Sequence, residues 1–128
     1  RVLLACVEGN NHAVGLQMVA DAFQLSGWEV QFLGANVPSG ALIKHIEHYK
    51  PDLLGLSVAF SHQLSIVKDI MARLTQLADV ARPGVIVGGL ALNQFHHLAG
   101  QLGADGWSPD AGAAVHSARE LAARTGTQ

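Results

Sequence analysis

The stretch Val2-Leu3-Leu4-Ala5-Cys6-Val7-Glu8-Gly9-Asn10-Asn11-His12-Ala13-Val14-Gly15 decides the fold. Its first six residues are apolar without polar alternation, the pattern of a strand buried on both faces. Gly9, Asn10 and Asn11 break that strand, and either Asn can cap a helix. Val14, Met18, Ala22 and Leu25 then recur at helical spacing, so they are expected to face the core of a helix that ends at Gly27.

Working outward, the same alternation continues to the end of the chain. Trp28 to Leu33 reads as a second strand closed by Gly34. A loop, Ala35-Asn36-Val37-Pro38, leads to a helix from about Ser39 to Tyr49, which Pro51 stops. Asp52 to Val58 is a third strand. Ser61 can cap a helix that carries Leu64, Val67, Met71 and Leu74. After the turn Arg82-Pro83-Gly84, a fourth strand covers Val85 to Val87 and meets Gly88-Gly89. A helix over roughly Leu92 to Leu102, a short strand within Gly103 to Trp107, and a helix from about Asp110 to Arg124 complete the pattern. That last helix is expected to bury Ala111, Val115 and Ala118.

Apolar strands alternating with helices imply a parallel sheet covered on both faces, an α/β, Rossmann-like architecture. The expected strand order is the flavodoxin-like 2-1-3-4-5. The chain has 128 residues, 49% hydrophobic and 14% charged, which fits one domain with its own core over residues 1–128. The net charge of −2 offers no basic footprint for nucleic acid. The single cysteine, Cys6, cannot form an internal disulfide, and a cytoplasmic location is the default expectation. No apolar run approaches the roughly 20 residues of a membrane span. Because the chain opens on Arg1 and enters a strand at once, it is expected to be a domain excised from a longer protein.

In such sheets ligands bind beyond the carboxyl ends of the strands, where the strand order reverses between strands one and three. The segments that converge there are Glu8 to Gly15, Ser57 to Ser61, and Gly88-Gly89. They lack the Gly-x-Gly-x-x-Gly dinucleotide fingerprint, since only Gly9 and Gly15 are present, and they lack a Gly-Lys-Ser/Thr phosphate loop. The Asp after strand three and the late Lys of a response-regulator receiver are missing too, since strand three ends in Ser57 and no Lys lies beyond Lys68, and a Ser/Thr-rich flavin loop is also missing. A histidine at the switch point, with small residues opposite, remains.

That pattern resembles the cobalamin-binding domain of corrinoid methyltransferases, B12-dependent mutases and B12-based light sensors. The family carries Asp-x-His-x-x-Gly after strand one, Ser-x-Leu after strand three and Gly-Gly after strand four. This chain has Asn10-x-His12-x-x-Gly15, Ser57-Val58-Ala59 and Gly88-Gly89, together with Gly34-Ala35-Asn36-Val37-Pro38 and Gly103-Ala104-Asp105-Gly106 where relatives have similar segments. The resemblance spans nearly the whole chain. It implies a cofactor, cobalamin in its adenosyl, methyl or hydroxo form, bound with its benzimidazole detached and with His12 as the lower axial ligand of cobalt. Imidazole nitrogen suits such a metal. The detached tail would need a slot of low side-chain bulk. Gly15, Gly88 and Gly89 would leave it room, Ser57 could donate a hydrogen bond, and Asn10, Ser61 and Trp107 complete the candidate set.

Each of these residues also has a plainer reading. Ser61 fits a helix cap better than a tail contact, Gly88-Gly89 fits a turn, and Trp28 and Trp107 fit packing. His45 and His48 share a helix face, but Lys44 and Glu47 beside them suggest a solvated one. His96 and His97 point in different directions on a helix, and His62 fits an exposed position.

Two departures from the family pattern bear on function. Asn10 stands where relatives have Asp, and Ala59 replaces the Leu of Ser-x-Leu. Asn cannot supply a proton when a metal-bound His is released, which favours a photosensory or regulatory module over a methyl carrier. The expected reading is therefore a non-catalytic light sensor that signals to a neighbouring helical or signalling module of the same chain, without direct nucleic-acid or membrane contact and with oligomer formation left open. A methyl-carrying corrinoid protein and a haem-binding relative are the alternatives.

Overall fold

The computed structural model describes residues 1–10, 13–77, 82–89, 97–108 and 111–125. Strands β1 (Val2–Val7), β2 (Val30–Val37), β3 (Leu53–Ser57), β4 (Gly84–Gly88) and β5 (Gly106–Trp107) form one sheet in the order β2-β1-β3-β4-β5, with every neighbouring pair parallel. Helices α1 (Ala13–Leu25), α2 (Ser39–Tyr49), α3 (Leu64–Leu74), α4 (Leu98–Gln101) and α5 (Ala111–Thr125) connect or follow them. The expected topology is observed.

The period of two along β1 divides the core. Leu3, Ala5 and Val7 point to one face and meet Leu42 and Ile46 of α2 and Val67, Ile70 and Leu74 of α3. Val2, Leu4 and Cys6 point to the other and meet Leu16, Ala20 and Phe23 of α1 and Ala114, Val115 and Ala118 of α5. All six β1 residues are buried, as an interior parallel strand requires. Trp28 joins the second core through an edge-to-face contact with Phe23, the ring centroids 5.3 Å apart.

Several local expectations are corrected. Helix α1 buries Leu16, Ala20 and Phe23, whereas Val14 is 79% exposed, Met18 62% and Leu25 90%. Apolar residues lie nearly all round this helix, and the stripe bearing the large Phe23 ring faces the sheet. Strand β2 does not stop at Gly34 but runs on to Val37, rejoining β1 through the pair Val7–Val37. Two register irregularities and positive φ angles at Gly34 (82°) and Asn36 (52°) let the chain bulge without leaving the sheet.

Helix α2 ends at the left-handed Lys50 (φ 53°), whose N–H returns to the Ile46 carbonyl, so Pro51 follows the stop rather than making it. Ser61 does not cap α3. It opens a 3-10 turn, Ser61–Gln63, and the N-cap position falls on Gln63. Of the helix expected from Leu92 to Leu102, Leu98–Gln101 is helical and residues 90–96 lie outside the described residues.

Candidate functional site

The carboxyl ends of the strands are stitched together by hydrogen bonds from one edge of the sheet to the other. At the β1 end, Val7 to Asn10 form a turn closed by Asn10 N–H to the Val7 carbonyl at 2.9 Å. Gly9 is its third residue at φ 89°, the positive value that a type II turn asks of that position. Asn36, at the end of β2, clasps this turn from both sides. Its Oδ1 accepts from Gly9 N–H at 2.7 Å, and its own N–H donates to the Asn10 carbonyl at 2.8 Å. The left-handed backbone of Asn36 places both groups against the turn, a conformation Asn tolerates better than most residues.

From the turn, Asn10 reaches across to β3. Its side chain is fully buried, and Nδ2 donates to the Ser57 carbonyl at 3.0 Å and lies 3.4 Å from Ser57 Oγ. The Ser57 hydroxyl also bonds the Cys6 thiol, its partner across the β1–β3 ladder. Burial pushes the Cys6 pKa above its ordinary value of 9.0, and the Ser57 hydrogen bond opposes that rise. The stitch continues as Val58 N–H donates to the Gly88 carbonyl at 2.8 Å and Ser108 N–H to the Val87 carbonyl at 3.1 Å.

Gly88 and Gly89 sit where strand ends approach most closely. A Cβ on Gly88 would lie 2.8 Å from the Ser108 carbonyl oxygen, and one on Gly89 would lie 2.3 Å from the Val58 carbonyl oxygen. Gly89 also has φ 108°. Both glycines are thus accounted for by backbone meeting backbone, whatever else passes near them.

Sequence patterns do not single out two further polar side chains at this end of the sheet. Gln63 is 1% exposed; its Oε1 accepts from Ala59 N–H at 3.1 Å and Phe60 N–H at 3.3 Å, and among the described residues its Nε2 has no hydrogen-bond partner. Ser108 is 6% exposed and its Oγ likewise has none. A glutamine at a helix start reads as solvated, and a serine before Pro109 reads as loop, so burial alone reveals them.

The fold thus brings together Asn10, Ser57, Gly88 and Gly89 of the sequence-derived set. Trp107 lies one strand further, paired with Val87, and packs against the α2–α3 side of the core. Gly15 stands exposed in the first turn of α1 with open space around it. Ser61 begins the 3-10 turn beyond β3. His12, the expected metal ligand, lies outside the described residues, as do Asn11 and His96. His62 is exposed and stacks on Phe60, the rings 5.7 Å apart. Among the described residues no group of three or more His, Cys, Asp or Glu side chains could hold a metal ion, so His45 and His48 gain no third ligand there. No described helix is long and apolar enough to cross a membrane.

Among the described residues the buried polar groups at this end are uncharged amides, hydroxyls and backbone groups, with the buried polar atoms of Gln63 and Ser108 left unpaired. Such a donor set fits a large cofactor that carries many uncharged amides and brings its own metal.

Comparison with known proteins agrees. The B12 binding domain model matches residues 1–116. The chain is 31% identical over 117 residues to dimethylamine corrinoid protein 3 of Methanosarcina mazei, covering 91% of this chain and 69% of that protein. It spans about half the length of other curated relatives it matches. A cobalamin-binding protein from Desulfitobacterium hafniense superposes with a TM-score of 0.85 at 27% identity, over 94% of this chain and 57% of that one. The methanol:cobalamin methyltransferase complex of Methanosarcina barkeri shares the fold, with a TM-score of 0.78 at 22% identity over 94% of this chain and 46% of that one. The chain belongs to the B12 binding domain family, and cobalamin is the cofactor that this membership assigns to it.

Proposed function

We propose that the domain holds cobalamin with the benzimidazole detached and His12 as the lower axial ligand, and that it serves as the methyl-carrying module of a corrinoid methyltransferase system. The observation that carries this reading is the Asn10–Ser57 bond. It anchors the turn leading into His12 to the neighbouring strand at the topological switch point. The corrinoid proteins among its relatives support the carrier over the light sensor.

One ground for the sensor expectation is that Asn10 cannot give up a proton. The structure offers a different reason for Asn at this position. A buried side chain facing the Ser57 carbonyl must donate a hydrogen bond, and an amide does so at any pH. Asn10 therefore does not argue for a sensor.

When bound, cobalamin supplies a cobalt centre that takes a methyl group from a donor and passes it to an acceptor. The chain's own part is to bind and orient. The Asn36 clasp and Asn10 hold the ligand loop. Gly15, Ser57, Ser61, Gly88, Gly89 and Trp107 are assigned to the surroundings of the cofactor and its tail. A methyltransferase and further segments like those of the longer relatives are the partners this role requires.

Titration with hydroxocobalamin, followed by absorption and electron paramagnetic resonance of the reduced cobalt(II) form, tests the ligand. Wild type should show nitrogen coupling from a protein imidazole, and His12→Ala should lose it and bind more weakly. An unchanged spectrum and affinity in that variant would remove His12 from the metal. Methylation of the cobalt(I) form by a methyl donor, with no reversible response to light, supports the carrier. A light-dependent, reversible change without methyl uptake would return the sensor. Haem titration is the control for the third alternative.

A further inference from the structure

The orphaned amide of Gln63 points to a cofactor contact that no sequence motif marks. Its orientation is fixed, because Oε1 receives two N–H groups, from Ala59 at 3.1 Å and Phe60 at 3.3 Å. Turning the amide over would set an NH2 group against both donors. Nε2 must therefore face the other way. There it lies 3.2 Å from where a Cβ of Gly9 would stand, against the turn that carries Asn10 and leads into His12. Among the described residues it has no acceptor, although Gln63 is only 1% exposed. An unmade hydrogen bond at a buried donor is unfavourable, because the group has lost its water and gained nothing in exchange. A ligand that supplied the missing acceptor would recover that cost on binding.

We infer that Gln63 is a cofactor-binding residue whose Nε2 donates to an oxygen acceptor of the bound corrinoid. The inference rests on the cobalamin reading above. Two parts of cobalamin offer such an oxygen, the carboxamide arms on the corrin rim and the phosphodiester of the nucleotide tail. Both are acceptors that a neutral amide can bind without introducing a buried charge of its own.

Gln63→Glu tests it, because the variant keeps an oxygen for Ala59 and Phe60 and replaces only the donor. Dissociation constants for hydroxocobalamin and for aquocobinamide, which lacks the nucleotide and its phosphate, are compared in wild type and variant. Gln63→Glu should weaken cobalamin binding roughly 10-fold, the factor equivalent to about 1.4 kcal/mol. The same factor with cobinamide identifies a corrin carboxamide as acceptor, and a loss confined to cobalamin identifies the phosphodiester. In wild type, the Gln63 side-chain amide proton resonances should move downfield on loading with diamagnetic cobalt(III) cobalamin, a readout that holds even if the variant fails to fold. Unchanged affinities for both probes, or unmoved Gln63 resonances in the loaded wild type, would overturn the inference. A wild type that binds neither probe would instead defeat the cobalamin reading.

Discussion

The side chain of Asn10 donates to the carbonyl of Ser57 at 3.0 Å, joining the loop after β1 to the end of β3 with the amide out of reach of solvent. This contact sets what Asn10 can be exchanged for. An ionised Asp would place an acceptor against an acceptor and leave the Ser57 carbonyl without its donor. Asn10→Asp should therefore destabilise the unloaded domain by roughly 2 kcal/mol or more at pH 7. A buried carboxyl facing a carbonyl has its pKa raised, so the protonated form donates again at low pH. Relative to wild type, the deficit should be small near pH 4 and grow as pH rises through the variant's raised pKa. Urea denaturation of both proteins at pH 4 to 8 measures it; a deficit that does not depend on pH would mean that the introduced carboxyl finds another arrangement.

Cys6 shares the Ser57 hydroxyl and is fully buried, its thiol pKa raised by desolvation. Only the thiolate attacks disulfide reagents. In native buffer at pH 8 Cys6 should react far more slowly than a free thiol and at a rate set by opening of the domain. In denaturant it should react at once. The sign of the linkage is that of a raised acid: the neutral thiol contributes its stability below its ordinary pKa and loses it as pH rises through the folded value. Rapid reaction in the folded state would contradict the burial.

The architecture is legible in the sequence because short apolar runs such as Val2 to Val7 and Val85 to Val87, punctuated by Gly and Pro, read as interior strands. Pro38 and Pro51 bracket helix α2 (Ser39–Tyr49) in the sequence, although its stop is the left-handed Lys50. The site is legible as a set of loops, and Asn10, Ser57, Gly88 and Gly89 do converge. Two things are not legible. Gly34 reads as a stop because glycine usually ends a strand, yet a bulge uses the same positive φ to continue one. Gln63 draws no notice because its polarity predicts exposure, and only the packing of the β3–α3 loop buries it. Gly88 and Gly89 stand out in the sequence for a reason the structure modifies: their missing side chains make room first for Ser108 and Val58.

The face that α1 presents to the sheet yields a clean contrast. Leu16 is buried in the cluster of Val2, Leu4 and Phe23, while Met18, two residues on, is 62% exposed. Leu16→Ala should cost about 2–5 kcal/mol, the loss of burial plus the cavity left behind. Met18→Ala should stay within about 0.5 kcal/mol of wild type. Chemical denaturation of the two variants decides between the observed face and the Val14–Met18–Ala22 stripe, for which the order of effects would reverse.

Glycine substitutions at the positions proposed for the cofactor separate demands of the fold from demands of the ligand. Gly89 cannot serve this purpose, because even an alanine Cβ would stand 2.3 Å from the Val58 carbonyl oxygen at φ 108°. Gly89→Ala should disrupt the unloaded domain, and any loss of binding would follow from that. Gly15 is the informative position. It lies in the first turn of α1, exposed, and apart from its chain neighbours and the helix's own backbone no atom of the described residues comes within 4 Å of where its Cβ would be. Exchange for alanine removes backbone freedom from the unfolded chain and suits a helix, so Gly15→Ala should leave the unloaded domain as stable as wild type or up to about 1 kcal/mol more stable. If the nucleotide tail passes beside α1, the added methyl group meets it. Affinity for cobalamin should then fall while affinity for cobinamide, which has no nucleotide, is retained. Thermal denaturation of the unloaded protein and titration with both corrinoids give the two readouts. Equal affinity of Gly15→Ala and wild type for cobalamin would take Gly15 out of the site and leave its absent side chain without a role in binding.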